Sequence, residues 1–151
     1  MQGYYKKPTE TAQAIDAEGW LHSGDMATMR DDGTIRFLGR YKEMLKVGGE
    51  NVDPVEVEAL LLHHPTVSQV KVVGVPDARL QEVACACVIL KPGAQMAPEE
   101  LLAVCRGKIA SFKIPRYVLC MQEYPMTSSG KVQKFKLREM SIEALRLASI
   151  P

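Results

Sequence analysis

"NVDPVEVEALLLHHPTVSQVKVVGVP", residues 51–76, passes from a helical pattern to a strand pattern and decides the fold. Asp53 stands as an N-cap, Pro54 takes the first helical position, and Glu56 completes a capping box. Val57, Leu60 and Leu61 then share one helical face, and Pro65 ends the element. "TVSQVKVVGVP" is β-branched, apolar and closed by proline, which predicts a strand.

Further along, "EVACACVILKPG" (82–93) reads as a second strand, bounded by Pro92-Gly93. "APEELLAVCRGKI" (97–109) opens on Pro98 with Glu99 and Glu100, and Leu101, Cys105 and Ile109 recur every four residues, so it predicts a helix. "RYVLCMQEY" (116–124) is a third strand, and "KFKLREMSIEALRLASI" (134–150) a closing helix with Leu137, Met140, Ala144 and Leu147 on one side. The order predicts an α+β fold, a small three-stranded sheet with flanking helices.

Towards the N-terminus the character differs. The first forty residues read as turns and strands, with "ATMRDDGTIRFLG" (27–39) forming a β-hairpin around Asp32-Gly33. The break falls near Tyr41-Lys42, giving a segment 1–40 and a domain 41–151.

Composition narrows the function. At 151 residues, 46% hydrophobic and 25% charged, the chain can bury a core. A formal net charge of +1 offers no one-signed field for nucleic acid or an anionic membrane. No apolar run nears the roughly 20 residues of a membrane span, and the N-terminus lacks the apolar core of a secretory signal. A cytoplasmic or organelle-matrix protein is expected. Cys85, Cys87, Cys105 and Cys120 have no metal-ligand spacing; Cys85 and Cys87, two apart on a strand, are expected in the core of a reduced protein.

Three stretches hold polar residues that a packed core does not require. In "GWLHSGDMA" (19–27), Asp25 follows Gly24 on a turn, where a carboxylate can accept two hydrogen bonds from a sugar diol or can cap its own backbone. In "GRYKEMLKVGGENVDP" (39–54), Arg40, Lys42 and Lys46 precede Gly48-Gly49; the glycines allow close approach to a phosphate or a thin polar chain, or form a hairpin turn among solvated lysines. In "PMTSSGKVQKFKLRE" (125–139), Lys131 follows Thr-Ser-Ser-Gly; Pro125 stands where a P-loop needs glycine, which excludes that motif. What remains is a lysine on a small-residue loop, expected to be slack until it closes on something. It suits charge that develops on phosphoryl oxygens, or is simply solvated.

Taken in order, "GYYKKPTET", "GWLHSGDMA", "GRYKEMLKVGGENVDPVEVEALL", "GVPDARLQEVACACV", "FKIPRY" and "PMTSSGKVQKFKLRE" resemble the C-terminal motifs of the adenylate-forming superfamily, nearest its fatty-acyl-CoA ligases. The resemblance implies an acid-thiol ligase: a carboxylic acid and ATP (with Mg2+) give an acyl-adenylate and pyrophosphate, then CoA displaces AMP. By motif position, Asp25 would hold the ribose hydroxyls and Arg40 the nucleotide near ribose and phosphates. Lys42 would be the hinge, a position where some members carry Asp. Lys131 would be the adenylation lysine, and Lys46 a residue presented after domain rotation for thioester formation. Gly48, Gly49 and Glu50 would lie along the pantetheine arm of CoA. No metal ligand is implied within this stretch.

Nothing in the chain resembles the family's Gly-rich phosphate loop, acyl pocket or adenine-contacting segments, all of which precede these motifs. The chain is therefore expected to be a C-terminal fragment whose partner is its own large N-terminal domain, inactive alone. An adenylation domain serving a carrier protein, or a non-catalytic CoA- or nucleotide-binding module, are the alternatives.

Overall fold

The computed structural model describes residues 1–147. The chain divides into two compact units, one ending at Lys42 and the other starting at Glu43.

The first unit contains a helix the sequence reading did not anticipate, α1 (Pro8–Ala14). Proline at its start and the Thr11 hydroxyl, which donates to Lys7 O at 2.8 Å and accepts from Tyr4 N–H at 2.9 Å, hold a short turn of helix that buries no residue. Local hydrogen bonding forms it, which an apolar periodicity cannot reveal. Then β1 (Asp25–Met29) and β2 (Ile35–Arg40) pair antiparallel with a bulge at Met26/Ala27. The turn is where it was expected: Asp32 Oδ1 accepts the Thr34 N–H at 2.9 Å, and Gly33 takes φ +80°. Met29, Ile35 and Phe37 stay uncovered, each more than half exposed.

The second unit holds β3 (Leu45–Val47), β4 (Glu50–Val52), α2 (Pro54–Leu61), β5 (Val67–Asp77), β6 (Gln81–Leu90), α3 (Pro98–Cys105), β7 (Tyr117–Cys120) and α4 (Lys134–Leu145). The three predicted strands are β5, β6 and β7; the sheet gains two more, β3 and β4, and is five-stranded. Both additions flank Gly48-Gly49, where a hairpin turn among solvated lysines is one of the two readings of the sequence; strands of three residues are too short to show alternation. β5 pairs antiparallel along one edge of β6, and the other edge is shared by β3 at Gln81 and, in parallel, β7 at Cys85–Val88. α3 supplies the crossover that a parallel β6–β7 pair needs.

From Val83 to Val88, β6 is buried on both faces, so Cys85 and Cys87 are core residues, as is Cys105; Cys120 is exposed. α2 packs on β5 through Val57 and Leu61, both fully buried. Asp53 caps α2 by accepting the Val55 N–H at 2.9 Å, whereas Glu56 leaves the predicted box and pairs with Lys113 at 2.6 Å. α3 ends at Cys105, before Ile109, because Gly107 at φ +72° turns the chain.

The face assigned to α4 differs from the expected one. Leu137 and Ser141 are its buried residues, while Met140 and Ala144 are exposed; the expected stretch beyond Leu147 lies outside the described residues. A serine hides the stripe from an apolar count. Its hydroxyl donates to Leu137 O at 2.7 Å, so the single proton is used and the Cys87 thiol is the donor in the 3.2 Å contact to Ser141 Oγ. The neighbouring Cys87 sulfur and burial push the Cys85 thiol above its ordinary value, which keeps it neutral.

One buried charge ties the elements together. Glu58 on α2 accepts from Lys71 Nζ at 2.8 Å and from the Val72 N–H at 3.0 Å; Lys134 lies 3.6 Å away and itself holds Glu43 at 2.6 Å. Glu58→Ala strands the Val72 N–H and releases Lys71, while Lys134 keeps Glu43, so a loss of about 3 kcal/mol is expected. It is checked as a lower urea midpoint at unchanged slope. Glu58→Gln, which still accepts from Val72, should lose less.

Candidate functional site

In the first unit, Asp25 begins β1 and Arg40 ends β2, and the antiparallel register sets them opposite one another. Arg40 Nε donates to Asp25 Oδ1 at 2.8 Å, and Tyr41 N–H extends the ladder to Gly24 O at 3.0 Å. Asp25 therefore does not cap its own backbone, unlike Asp16, Asp32, Asp53 and Asp77. Among the described residues Asp25 Oδ2 has no protein partner, and the Arg40 side chain is mostly exposed. The pair presents an oriented acceptor beside free guanidinium donors, a combination suited to a diol next to a phosphate.

Lys42 follows in a single 3-10 turn, Tyr41–Glu43, at the boundary between the two units. Immediately after it, Glu43 is held by Lys134 within the second unit.

Gly48 and Gly49 form a two-residue hairpin loop, both with positive φ (+58° and +92°), the geometry of a type I′ turn. A Cβ at Gly48 would lie 2.9 Å from Leu80 Cδ2, and its N–H donates to Leu80 O at 3.0 Å; Gly49 faces open space. Leu45 and Val47 are buried, so Lys46 between them projects from the opposite face, beside Asn51 across the hairpin. Glu50 opens β4 opposite Val47 and is exposed. Next to the hairpin is a shallow, mostly apolar cleft of about 390 Å³ lined by Val47, Leu80, Val83, Phe112 and Ile114, with Arg116 at its edge.

The Lys131 stretch is a braced turn and not the slack loop expected from its small residues. Met126 bridges Val132, Thr127 N–H donates to Lys131 O at 2.8 Å, and the Thr127 hydroxyl accepts the Lys131 N–H at 3.0 Å. Gly130, at φ +78°, closes the turn. The Lys131 side chain is exposed and, among the described residues, has no ion-pair partner. Sequence reasoning underrated Thr127, whose side chain supplies the bracing.

The structure thus brings Asp25 and Arg40 together in the first unit, and gathers Lys46, Gly48, Gly49 and Glu50 on one hairpin of the second. Lys131 sits on a separate turn of that second unit. Lys134 and Glu43, missed by the sequence reading, bridge the base of the hairpin to the helix that follows Lys131. Among the described residues no three His, Cys, Asp or Glu side chains converge as a metal site, and no helix is long and apolar enough to cross a membrane.

Comparisons with known proteins give a consistent picture. Residues 56–131 match the AMP-binding enzyme C-terminal domain. The chain is 54% identical over 149 residues to YngI of Bacillus subtilis (strain 168), whose name places it provisionally among the acyl-CoA synthetases; the match covers 99% of this chain and 27% of YngI. It is 47% identical over 147 residues to the human mitochondrial medium-chain acyl-CoA ligase ACSF2, covering 97% of this chain and 24% of ACSF2. The ATP-bound crystal structure of MatB from Rhodopseudomonas palustris superposes with a TM-score of 0.88 at 32% identity, over 95% of this chain and 28% of MatB. The chain therefore spans about a quarter of the length of these relatives.

Proposed function

This chain belongs to the AMP-binding enzyme C-terminal domain family, and we propose that it is the closing part of an ATP-dependent acyl-CoA synthetase acting on fatty acids. The observation that carries this reading is a pair of exposed lysines, Lys131 and Lys46, on two different elements of one compact unit that begins directly after Lys42.

The reaction has two halves. A carboxylate oxygen attacks the α-phosphorus of ATP, and pyrophosphate leaves with the electrons of the broken P–O bond. The CoA thiolate then attacks the acyl carbon, and AMP leaves. Negative charge peaks on the α-phosphoryl and carboxylate oxygens in the first step and on the acyl oxygen in the second. Lys131 stabilises the former, and Lys46 serves the latter after the second unit has turned about Lys42. Presenting them alternately lets each transition state have its own cation without crowding the other. Asp25 holds the ribose and Arg40 the nucleotide near its phosphates through both halves, which fits their place in the other unit. The Gly48-Gly49 turn, with Glu50, lies against the pantetheine arm. Mg2+ arrives with ATP as part of that substrate.

The large N-terminal domain is the partner that supplies the acyl pocket and phosphate loop. The uncovered Met29, Ile35 and Phe37 of the first unit support its being the tail of that domain. The names of the relatives support a fatty-acid substrate, and a cytoplasmic or organelle-matrix location goes with it.

Incubating the full-length protein with ATP, CoA and saturated fatty acids of graded length should yield acyl-CoA with AMP and pyrophosphate in equal amounts. The 151-residue chain alone should yield none. Release of ADP and phosphate would exclude the adenylate route.

A further inference from the structure

The Lys46 hairpin is loosely held by the sheet. β3 pairs with β6 at one position, Val47 with Gln81, so at Lys46 the strand has already left its neighbour. The Glu82 carboxylate fills the gap: Glu82 Oε2 accepts the Lys46 N–H at 3.0 Å. Room for that carboxylate comes from Gly74 on β5. A Cβ there would overlap the Glu82 carboxyl group and lie 2.8 Å from its Cγ. Gly74 has no positive φ, so its glycine character serves space and not backbone conformation. The adjoining corner is shaped for the same purpose. Gln81 takes φ +66°, Asp77 Oδ1 accepts the Arg79 and Leu80 N–H groups at 3.0 and 2.9 Å, and Leu80 O receives Gly48 N–H at 3.0 Å. The backbone N–H groups of Leu80 and Arg79 hold the Asp77 carboxyl below its usual range, with Arg116 3.0 Å from its other oxygen.

We infer that Glu82, seated over Gly74, is a positioning residue that fixes the backbone of Lys46 and so sets the Lys46 and Gly48-Gly49 hairpin for the thioester half-reaction. This rests on the assignment of Lys46 to that half-reaction. Glu82 acts through the Lys46 amide and does not touch substrate. Losing the acceptor frees the hairpin to shift by a fraction of a turn, and misplacement on the order of 1 Å is enough to cost one to two powers of ten in rate. The Lys131 turn is braced by Thr127 and is independent of Glu82.

The test uses the full-length enzyme and measures adenylate formation and CoA transfer from supplied acyl-adenylate separately. Glu82→Ala should lower CoA transfer by roughly tenfold or more while adenylate formation stays within about twofold. Glu82→Gln keeps an amide oxygen to accept the Lys46 N–H and should transfer close to the wild-type rate. Gly74→Ala displaces the carboxylate without removing it and should reproduce Glu82→Ala, which covers the case of an unfolded Glu82→Ala. Lys46→Ala is the reference. If it loses CoA transfer while Glu82→Ala and Gly74→Ala do not, the positioning role is overturned and the assignment of Lys46 stands. If Lys46→Ala shows no selective loss, the assignment falls and the positioning role with it.

Discussion

Lys131→Ala in the full-length enzyme is expected to slow acyl-adenylate formation by about a hundred- to a thousandfold, while CoA transfer to supplied adenylate stays within about threefold. On the proposed role, the size follows from removing one preorganised positive charge from a site of developing phosphoryl charge, worth roughly 3–4 kcal/mol. The fold should survive. Lys131 is exposed, and the turn that carries it is closed by main-chain bonds and the Thr127 hydroxyl, none of which involves the ammonium group. Nor is the charge already spent, since no carboxylate among the described residues pairs with it. Lys134, three residues on, is the contrast: held by Glu43 and near Glu58, it is structural, and its replacement should lower stability before it alters either half-reaction selectively. Rapid-quench measurement of adenylate in a single turnover reads the effect directly.

Lys46→Ala should behave in the opposite sense. CoA transfer is expected to fall by roughly ten- to a hundredfold, with adenylate formation near the wild-type rate. The side chain leaves β3 on the face away from buried Leu45 and Val47, so alanine creates no cavity and the β3–β4 register is retained. The backbone N–H of residue 46 still reaches Glu82, which separates loss of the cation from loss of its placement. A rise in the KM for CoA with unchanged rate would instead assign Lys46 to CoA binding. The measurement is thioester formation from supplied acyl-adenylate across a range of CoA concentrations.

Much of this architecture was legible because it rests on burial. The helix at Pro54, the long β5–β6 pair and the Cys85/Cys87 core follow from apolar periodicity, β-branching and proline or glycine at the boundaries. What was not legible rests on polar groups that act locally or at long range. α1 depends on Thr11, the buried face of α4 on Ser141, and the Lys131 turn on Thr127, each through a hydroxyl that pattern counting treats as neutral. β3 and β4 are too short to carry a period, so the sequence shows their hairpin only as one of two readings of the Gly48-Gly49 stretch. Of the candidate site, the motif lysines and glycines were visible in sequence order. The Arg40–Asp25 pair spans 15 positions and the Glu82 contact to Lys46 spans 36, distances at which only the folded register makes neighbours.

The pivotal claim is that one unit delivers two cations in turn. It is tested most directly by the quotient of the two half-reaction rates, adenylate formation over CoA transfer, in wild type, Lys131→Ala and Lys46→Ala of the full-length enzyme. This quotient should fall at least tenfold for Lys131→Ala and rise at least tenfold for Lys46→Ala. A quotient that both substitutions leave unchanged, with the two half-reactions slowed alike, would contradict it.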